Sequence, residues 1–355
     1  MGEKVLMKGN EAIGEAAIRA NCRCFFGYPI TPQTELAAYM SRKMPKIGRV
    51  FLQAESEIAA INMVYGAAGS GVRSMTSSSS PGISLKSEGI SYIAGAELPC
   101  VIVNIVRGGP GLGSIQPAQS DYFMATKAGG HGDFSMPVLA PASIQEMVDL
   151  IQDAFDIADE YRNPCMIMGD GMLGQMMEPV EFKERKPKEP SKDWAANGLN
   201  GRKTHNVINS LYLQSELLEE HNIKLQKKYA LMKEKEVRYE LYKCDRENDL
   251  IIVAYGTTSR ICKNVIKEAE KDGINLGLIR PITLWPFPFE AFEKTVNMTK
   301  HGYLSVEMSC GQMVYDVKLA ANGRCPVDFY GRTGGMIPEP EDIYSKVKEI
   351  IGGAK

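Results

Sequence analysis

The chain has 355 residues, of which 44% are hydrophobic and 24% charged, as is typical of a soluble globular protein large enough for two domains. Lysine and arginine number 41 against 43 acidic residues, and this near balance argues against a nucleic-acid-binding surface. The longest apolar run, residues 96–106, is too short to span a membrane, and the N-terminus shows no apolar signal stretch. We therefore expect a cytoplasmic protein that binds neither nucleic acid nor membrane.

Eight cysteines are spread along the chain without any Cys-x-x-Cys pair. Cys22 and Cys24 are the only close pair, and no other cysteine or histidine lies near them in sequence. Structural zinc sites and ferredoxin-type iron–sulfur sites require tighter groups of ligands. The cysteines are therefore expected to be reduced, and no metal centre is predicted on this chain.

Residues 1–180 alternate between helical and extended patterns. In chain order we predict a helix at 11–21 capped by Asn10, a strand at 24–26, a helix at 33–44, a strand at 50–52, a helix at 55–69, a strand at 74–76, a helix at 83–95, strands at 100–106 and 138–139, a helix at 143–160 and a strand at 165–168. Repeated strand–helix units predict a doubly wound parallel sheet, and the almost wholly apolar strand 100–106 fits a sheet covered on both faces.

The composition changes after this first domain. Residues 181–248 are predicted to form a charged linker and a helical insert. The stretch 208–243 has a long helical pattern in which an apolar residue recurs at every seventh position (Leu211, Leu218, Leu225, Met232 and Tyr239). The complementary core positions of this seven-residue repeat are polar, so a self-standing coiled coil is not expected. Residues 249–355 predict a second, smaller α/β domain. Its expected elements are strands at 250–255, 275–279 and 303–306 and helices at 259–271 and 311–321.

Three unusual loops, 27–32, 77–82 and 107–119, follow strands of the first domain. Doubly wound sheets bind ligands at the carboxyl ends of their strands. Because all three loops fall at such ends, this convergence is the strongest functional signal of the sequence pattern.

One short motif suggests a different kind of site. Gly169-Asp170-Gly171 is followed, after 25 intervening residues, by Asn197, which resembles the motif that holds magnesium and the diphosphate of thiamine diphosphate. That motif needs a helix and a strand between its ends, whereas the spacer here is charged and proline-containing. We interpret Asp170 as part of a strand-end turn leading into the linker.

Polar side chains in the first two loops are candidates for ligand contact. Pro29 and Pro32 fix the backbone around Thr31, so the Thr31 hydroxyl is positioned to donate or accept a hydrogen bond. The same hydroxyl would equally serve to cap the next helix. Glu55 and Glu57 follow the strand 50–52 and open a helix, where acids are also common for reasons of the helix dipole. Residues two apart on a helix point in different directions, so only one carboxylate is expected to face the crevice.

Arg107 opens the glycine-rich loop that follows strand 100–106. Its guanidinium could bind a carboxylate bidentately, and the glycines would allow close approach of the backbone to a ligand. No Lys-Ser/Thr follows, which excludes a nucleotide P-loop. The serine run 77–80 lacks the Gly-x-Ser-x-Gly elbow of a hydrolase and is interpreted as a hydrogen-bonding wall of the crevice.

Together these segments resemble the alpha subunit of the 2-oxoacid:ferredoxin oxidoreductases. The matching motifs are Gly27–Pro32 (GYPITP), Glu55–Ala60 (ESEIAA), Thr76–Gly82 (TSSSSPG), Arg107–Pro110 (RGGP), Gln119–Asp121 (QSD), Ala254–Thr257 (AYGT) and Arg280–Pro288 (RPITLWPFP). The resemblance implies an α/β protein whose doubly wound, pyrimidine-type thiamine-diphosphate-binding domain is followed by a transketolase C-terminal-like domain.

The resemblance also implies an activity and partners. Such enzymes oxidatively decarboxylate a 2-oxoacid, join the acyl group to coenzyme A and pass two electrons to ferredoxin. Thiamine diphosphate would be shared with a beta subunit that supplies magnesium binding and an iron–sulfur cluster. A gamma subunit and a small ferredoxin-like subunit would complete a higher-order hetero-oligomer, so the chain should not work alone.

The family motifs assign roles to individual residues. Glu57 would contact N1′ of the pyrimidine, while Thr31 and Arg107 would bind the 2-oxoacid as the other catalytic residues. Pro29, Ile30, Ser79 and Ser80 would complete the cofactor site, and no residue of this chain would bind metal.

The substrate is predicted from the loop that follows RGGP. Relatives acting on 2-oxoglutarate typically continue with Ser-Thr-Gly-Leu-Pro-Thr, whereas this chain continues with the less hydroxyl-rich Gly111–Pro117 and looks more like the enzymes of 3-methyl-2-oxobutanoate (2-ketoisovalerate). Leu112 and Ile115 would suit an aliphatic side chain. The alternatives are a 2-oxoglutarate enzyme, a non-catalytic scaffold of the same fold and a self-sufficient thiamine enzyme, which would need a genuine diphosphate motif.

Overall fold

A computed structural model describes residues 4–127, 129–188 and 190–353. Its strands are β1 (Lys4–Lys8), β2 (Cys24–Gly27), β3 (Val50–Gln53), β4 (Ser74–Ser78), β5 (Cys100–Val106), β6 (Val138–Leu139), β7 (Pro164–Asp170), β8 (Met177–Glu181), β9 (Tyr239–Tyr242), β10 (Leu250–Val253), β11 (Leu276–Pro281), β12 (Thr283–Trp285), β13 (Tyr303–Glu307) and β14 (Val327–Gly331). Its α-helices are α1 (Gly9–Arg19), α2 (Thr34–Lys43), α3 (Glu57–Gly69), α4 (Pro81–Gly95), α5 (Tyr122–Thr126), α6 (Ile144–Tyr161), α7 (Gly171–Gln175), α8 (Ser215–Lys235), α9 (Gly256–Lys271), α10 (Phe289–Thr295), α11 (Met313–Ala321) and α12 (Pro340–Gly352).

The larger sheet has seven strands in the order β12-β6-β7-β5-β4-β2-β3. All neighbours pair in parallel except β12 with β6. Every residue of β5 and β7 is buried, which explains why these strands are nearly continuous apolar runs. The predicted α/β fold with a doubly wound parallel sheet is confirmed.

The sheet order brings the three unusual loops together. β2, β4 and β5 are neighbours and run in parallel, so their carboxyl ends lie at one edge of the sheet. Loops 27–32, 77–82 and 107–119 begin where these strands end. Helix α3, which follows β3, begins at the same edge and packs against α4.

The second sheet has five strands in the order β14-β13-β10-β11-β9, and only β9 is antiparallel to its neighbour. Two short strands connect the halves of the chain. β9 lies in the stretch predicted as an insert and pairs with β11, while β12 extends the larger sheet through Thr283 and Trp285. The halves therefore share strands and do not merely touch.

The helical insert is shorter than its pattern predicts. The helix expected over 208–243 is α8, Ser215–Lys235, and the stretch before it is irregular. Leu225, Tyr229 and Met232 are buried, whereas Leu211 and Leu218 of the same seven-residue repeat are exposed. Only the C-terminal half of the repeat has a surface to pack against, so packing decides where the helix begins.

Asn10 does not cap the first helix, contrary to the prediction. Helix α1 begins at Gly9, and Asn10 is fully buried inside it. The Asn10 amide donates to the carbonyl oxygen of Pro32 at 2.7 Å and to Glu35 at 3.0 Å. A residue type that favours helix caps in isolation is here used to anchor loop 27–32.

Among the described residues, none of the helices combines the length and the apolar character that a membrane span requires.

Candidate active site

Glu57 is the first residue of α3 and lies at the edge of the sheet where the loops meet. Ser56 caps the helix by accepting a hydrogen bond from the backbone N–H of Ala59 at 3.2 Å. The Glu57 side chain is buried, whereas Glu55 precedes the helix and is exposed. Within the described residues, the Glu57 carboxylate accepts no hydrogen bond. A buried carboxylate without a partner is costly, which marks Glu57 as a group arranged for a ligand.

The serine run supplies further unpartnered groups. Ser78 and Ser79 are fully buried, and their hydroxyl groups have no hydrogen-bond partner. A Cβ atom on Gly82 would lie 2.0 Å from the Ser78 hydroxyl oxygen and 2.7 Å from a carboxylate oxygen of Glu57. Glycine at this position therefore leaves room for the serine and the glutamate side by side at the start of α4.

Arg107 joins two of the loops. One terminal nitrogen donates to the carbonyl oxygen of Thr31 and the other to that of Leu112, both at 2.9 Å. The Nε atom of Arg107 is buried and has no partner. The side chain thus fixes the distance between loops 27–32 and 107–119 and keeps one N–H donor available.

Ser80 is used differently from its neighbours. Its hydroxyl lies 3.2 Å from the carbonyl oxygen of Arg107 and 3.1 Å from the backbone nitrogen, and its own N–H donates to Asn104. Its φ of +24° lies outside the regions that ordinary L residues prefer, so the neighbouring contacts must hold this backbone. Ser80 braces the loop, and only Ser79 of the two predicted serines has an unpartnered hydroxyl.

Loop 27–32 is held from below by a residue that the sequence interpretation missed. Gln33 is fully buried, accepts a 2.6 Å hydrogen bond from the Ser77 hydroxyl and donates to the carbonyl oxygen of Tyr28 at 3.3 Å. Pro29 and Thr31 are exposed, and Ile30 is half-buried. Thr31 does not cap α2, because that helix begins after Gln33. Its hydroxyl is therefore not needed by the helix.

The Gln119–Asp121 motif lies between the two halves of the chain. Gln119 donates to the carbonyl oxygen of Tyr255 at 3.0 Å and accepts from the Thr258 hydroxyl at 2.9 Å and the Met308 N–H at 3.0 Å. Asp121 is buried and accepts from Asn104 at 2.9 Å, and its burial raises the pKa of its carboxyl. The motif joins the strand ends of one sheet to those of the other.

Asp170 serves as a helix cap. Its carboxylate accepts two 3.0 Å hydrogen bonds from backbone N–H groups at the start of α7, and the residue is buried. Asn197, at the other end of the magnesium-like motif, accepts a hydrogen bond from Arg202 at 2.9 Å. Both ends of the motif thus have structural uses, in keeping with the interpretation of Asp170 as part of a strand-end turn.

Comparisons with known proteins agree with this architecture. Residues 15–241 match the family model described as pyruvate flavodoxin/ferredoxin oxidoreductase, thiamine diphosphate-binding. Residues 248–343 match the model described as pyruvate:ferredoxin oxidoreductase core domain II. The chain belongs to the 2-oxoacid:ferredoxin oxidoreductase family.

Individual relatives support the same assignment. The chain is 51% identical to the ketoisovalerate oxidoreductase subunit VorB of Methanothermobacter marburgensis over 98% of both chains. It is 35% identical to the 2-oxoglutarate synthase subunit KorA of Methanothermobacter thermautotrophicus, over 99% of this chain and 100% of the relative. The resemblance drawn from the sequence motifs is confirmed, and this oxidoreductase chain is one subunit of a larger enzyme.

Solved structures agree with the fold. The 2-oxoglutarate:ferredoxin oxidoreductase of Magnetococcus marinus, solved with 2-oxoglutarate, coenzyme A and succinyl-CoA bound, superposes with a TM-score of 0.84 at 26% identity. The match covers 99% of this chain and 66% of that chain. A split-gene transketolase superposes with a TM-score of 0.59 at 14% identity, which indicates a shared fold.

The site fits the pyrimidine side of thiamine diphosphate. An aminopyrimidine ring is flat and carries nitrogen atoms that donate and accept hydrogen bonds, and a carboxylate is a suitable partner for one of them. Among the described residues, the Glu57 carboxylate accepts no hydrogen bond, and the Ser78 hydroxyl beside it has no partner. Ser79, the next residue along the chain, has a second unpartnered hydroxyl. The family's thiamine-diphosphate-binding domain thus keeps its polar groups available at the place where the strand ends meet.

Proposed function

We propose that this chain is the subunit that supplies the pyrimidine side of the cofactor site in a 3-methyl-2-oxobutanoate:ferredoxin oxidoreductase. The enzyme would convert the 2-oxoacid to its acyl-CoA and pass the electrons to ferredoxin. The observation that carries the proposal is the buried carboxylate of Glu57, which accepts no hydrogen bond among the described residues and lies near the unpartnered Ser78 hydroxyl at the start of α4. The relative with 51% identity is a ketoisovalerate oxidoreductase subunit, which supports this substrate.

Glu57 is proposed to accept the hydrogen bond of the pyrimidine N1′ and to favour the imino form of the ring. Bound thiamine diphosphate supplies the nucleophilic carbon and the electron sink for decarboxylation. The rigid start of α3, capped by Ser56, holds the carboxylate in place, and burial strengthens its interaction with a ring proton. Ser79 joins Glu57 in the proposed cofactor site, with Pro29 and Ile30 in the neighbouring loop.

Thr31 and Arg107 are proposed to bind the 2-oxoacid. Arg107 donates to the Thr31 carbonyl oxygen, so the buried guanidinium lies next to the exposed residue Thr31. The unpartnered Nε–H of Arg107 is available for a carboxylate oxygen. Ser80 contributes indirectly, because it fixes the backbone of Arg107.

The aliphatic side of the substrate is proposed to meet the loop after Arg107. Leu112 is 85% exposed and Ile115 is 59% exposed, so this loop presents apolar side chains that the chain itself does not cover. A partner subunit that closes over the loop would enclose an aliphatic substrate group. The 2-oxoglutarate alternative is supported by the structural match to an enzyme of that substrate and by the 35% identical KorA.

The remaining parts of the assembly are proposed to lie on other chains. A beta subunit would bind the diphosphate through magnesium and carry iron–sulfur clusters, and a gamma subunit and a small ferredoxin-like subunit would complete the hetero-oligomer. The described residues contain no group of three or more histidines, cysteines or acids that could hold a metal ion. We also propose domain limits at 1–180 and 249–355 with the insert at 181–248.

The decisive experiment is Glu57→Gln in the complex purified with its partner subunits. The amide keeps the size of the side chain but cannot act as a carboxylate, so we expect turnover to fall by at least about 10³-fold. Glu55→Gln is the matched control, because Glu55 lies two residues away and is exposed. Turnover is measured as dye reduction with coenzyme A and a panel of 2-oxoacids. Wild-type turnover by the Glu57→Gln complex would refute the site, and a preference for 2-oxoglutarate would refute the substrate.

A further inference from the structure

A lysine is fully buried directly behind the candidate active site. Lys86 lies in the second turn of α4, on the same stripe as the buried Ile83 and Ile90. Lysine is almost never fully buried unless its ammonium group is paired, because transfer of the charge out of water is costly. The site described so far gives this side chain no role.

The ammonium group of Lys86 points at the start of α3. Its Nζ donates to the backbone carbonyl oxygen of Glu57 at 3.5 Å, and this is its one hydrogen bond among the described residues. An ammonium group has three donors, so the single long contact does not satisfy it. The Glu57 carboxylate is the one titratable group found to act electrostatically on Lys86, and it favours the charged form of the lysine.

Packing holds the two residues in this relation. A Cβ atom on Gly89 would lie 2.5 Å from a methyl carbon of Ile61, so α3 and α4 approach closely one turn beyond Lys86. Gly82, at the start of α4, lets the same helix approach the Glu57 side chain. Lys86 lies between Gly82 and Gly89 on this closely packed helix and is fully buried, so its ammonium group is excluded from solvent.

We propose that Lys86 is a positioning residue for Glu57, and that its buried ammonium group keeps the carboxylate ionised and ready to accept a hydrogen bond. The inference rests on the proposed function only for the catalytic role of Glu57. A carboxylate that is buried alone takes up a proton, whereas a buried cation nearby stabilises the charged form. The two side chains do not form a direct ion pair, so the effect acts through space in surroundings of low polarity.

The coupling between the two residues is tested first by thermal unfolding of the full chain. Lys86→Met leaves the Glu57 carboxylate buried without its cation, so we expect a melting temperature about 3 °C lower or more. In the Glu57→Gln background the lysine has no counter-charge, so the same Lys86→Met substitution should raise the melting temperature. This reversal of sign depends on the charge pair and on no assumption about catalysis. Equal effects in both backgrounds would overturn the inference.

The consequence for catalysis is tested by the pH profile of the assembled enzyme. Without the cation the charged form of the Glu57 carboxylate loses its electrostatic support, so the acid limb of the turnover profile should move to higher pH in Lys86→Met. Burial lowers the pKa of Lys86 itself to about 8, so the wild-type effect should fade above that pH. Lys86→Arg keeps its charge and should restore the acid limb.

The outcomes separate the two hypotheses. A uniform loss of turnover at every pH in Lys86→Met would mean that the lysine only supports the fold, and would overturn its positioning role. Reversed signs in the thermal experiment together with full turnover by Glu57→Gln would instead uphold the charge pair and refute the proposed function. Binding of thiamine diphosphate to the complex, measured at two pH values, gives a readout other than turnover, and affinity should fall more at the lower pH in Lys86→Met.

Discussion

Two buried polar regions lie at the strand ends, and they differ in whether their groups have partners. In the candidate active site, the carboxylate of Glu57 and the hydroxyls of Ser78 and Ser79 accept or donate no hydrogen bond among the described residues. The second region, which we call the seam, lies between the two sheets and comprises Gln119, Ser305, Glu307 and Ser309. Its Gln119 and Glu307 side chains form several hydrogen bonds each. Buried glutamate and serine side chains thus have hydrogen-bond partners at the seam and lack them in the candidate active site.

The seam shows what the chain does when a polar group serves the fold. Glu307 is fully buried and accepts hydrogen bonds from the hydroxyls of Ser305 and Ser309 at 3.0 and 2.8 Å. Three consecutive backbone N–H groups at the start of α11 also donate to it. Such a carboxylate contributes to stability because every lone pair meets a donor. The active-site groups lack this compensation and are expected to gain it from a ligand.

The largest effect on stability is expected for Glu307→Gln. The amide removes the charge and turns an acceptor into a donor that faces the backbone N–H groups of α11, so we expect a loss of about 3 kcal/mol in the free energy of unfolding. Urea unfolding of the full chain measures it. Glu290→Gln, at an exposed position on α10, is the control and should change the free energy by at most about 0.5 kcal/mol. An unchanged midpoint in Glu307→Gln would erase the difference between the seam and the site.

A smaller effect, on thermal stability and on activity, is expected for Gly82→Ala. The new Cβ would lie 2.0 Å from the Ser78 hydroxyl oxygen and 2.7 Å from a Glu57 carboxylate oxygen, so the glutamate must move. We expect turnover of the complex to fall about 100-fold, since displacement of a catalytic group by about 1 Å costs this much.

The double variant Ser78→Ala/Gly82→Ala separates the two contacts of Gly82. Removal of the serine oxygen relieves the closer overlap, so thermal stability should recover. The overlap with Glu57 persists, so turnover should recover only in part. Full recovery of turnover would mean that Glu57 tolerates the displacement, and would contradict its proposed role.

The sequence predicted those parts of the fold that depend on hydrophobic pattern. The apolar strand 100–106 and the loops at strand ends follow from general properties of parallel sheets, so the meeting of the three loops at one edge of the sheet was predicted correctly. β12 has only three residues and gains its identity from pairing with β6, so no local pattern could reveal it. Its partner comes from another part of the chain, and such pairings are decided by tertiary packing.

Single polar residues show the same limit. Asn10 has the properties of a helix cap, but its partners on loop 27–32 are set by the tertiary fold. Gln33 has no distinguishing local pattern. Lys86 did carry a signal, because it lies three residues after Ile83 and four before Ile90 on one helical stripe, where an apolar residue is expected. A charged residue on an otherwise apolar helical stripe is therefore a sequence pattern that indicates a buried lysine.

The smallest effect is expected for Ser78→Ala, and it distinguishes the site most sharply from the seam. The hydroxyl of Ser78 is buried without a partner, so its removal should leave the free energy of unfolding unchanged or raise it by up to about 1 kcal/mol. The matched substitution at the seam, Ser309→Ala, removes a 2.8 Å donor to Glu307 and should lower stability by about 1 kcal/mol. Urea unfolding of both variants compares them directly. If Ser78→Ala destabilises the chain as much as Ser309→Ala does, the hydroxyl has a structural partner and is not kept free for the cofactor.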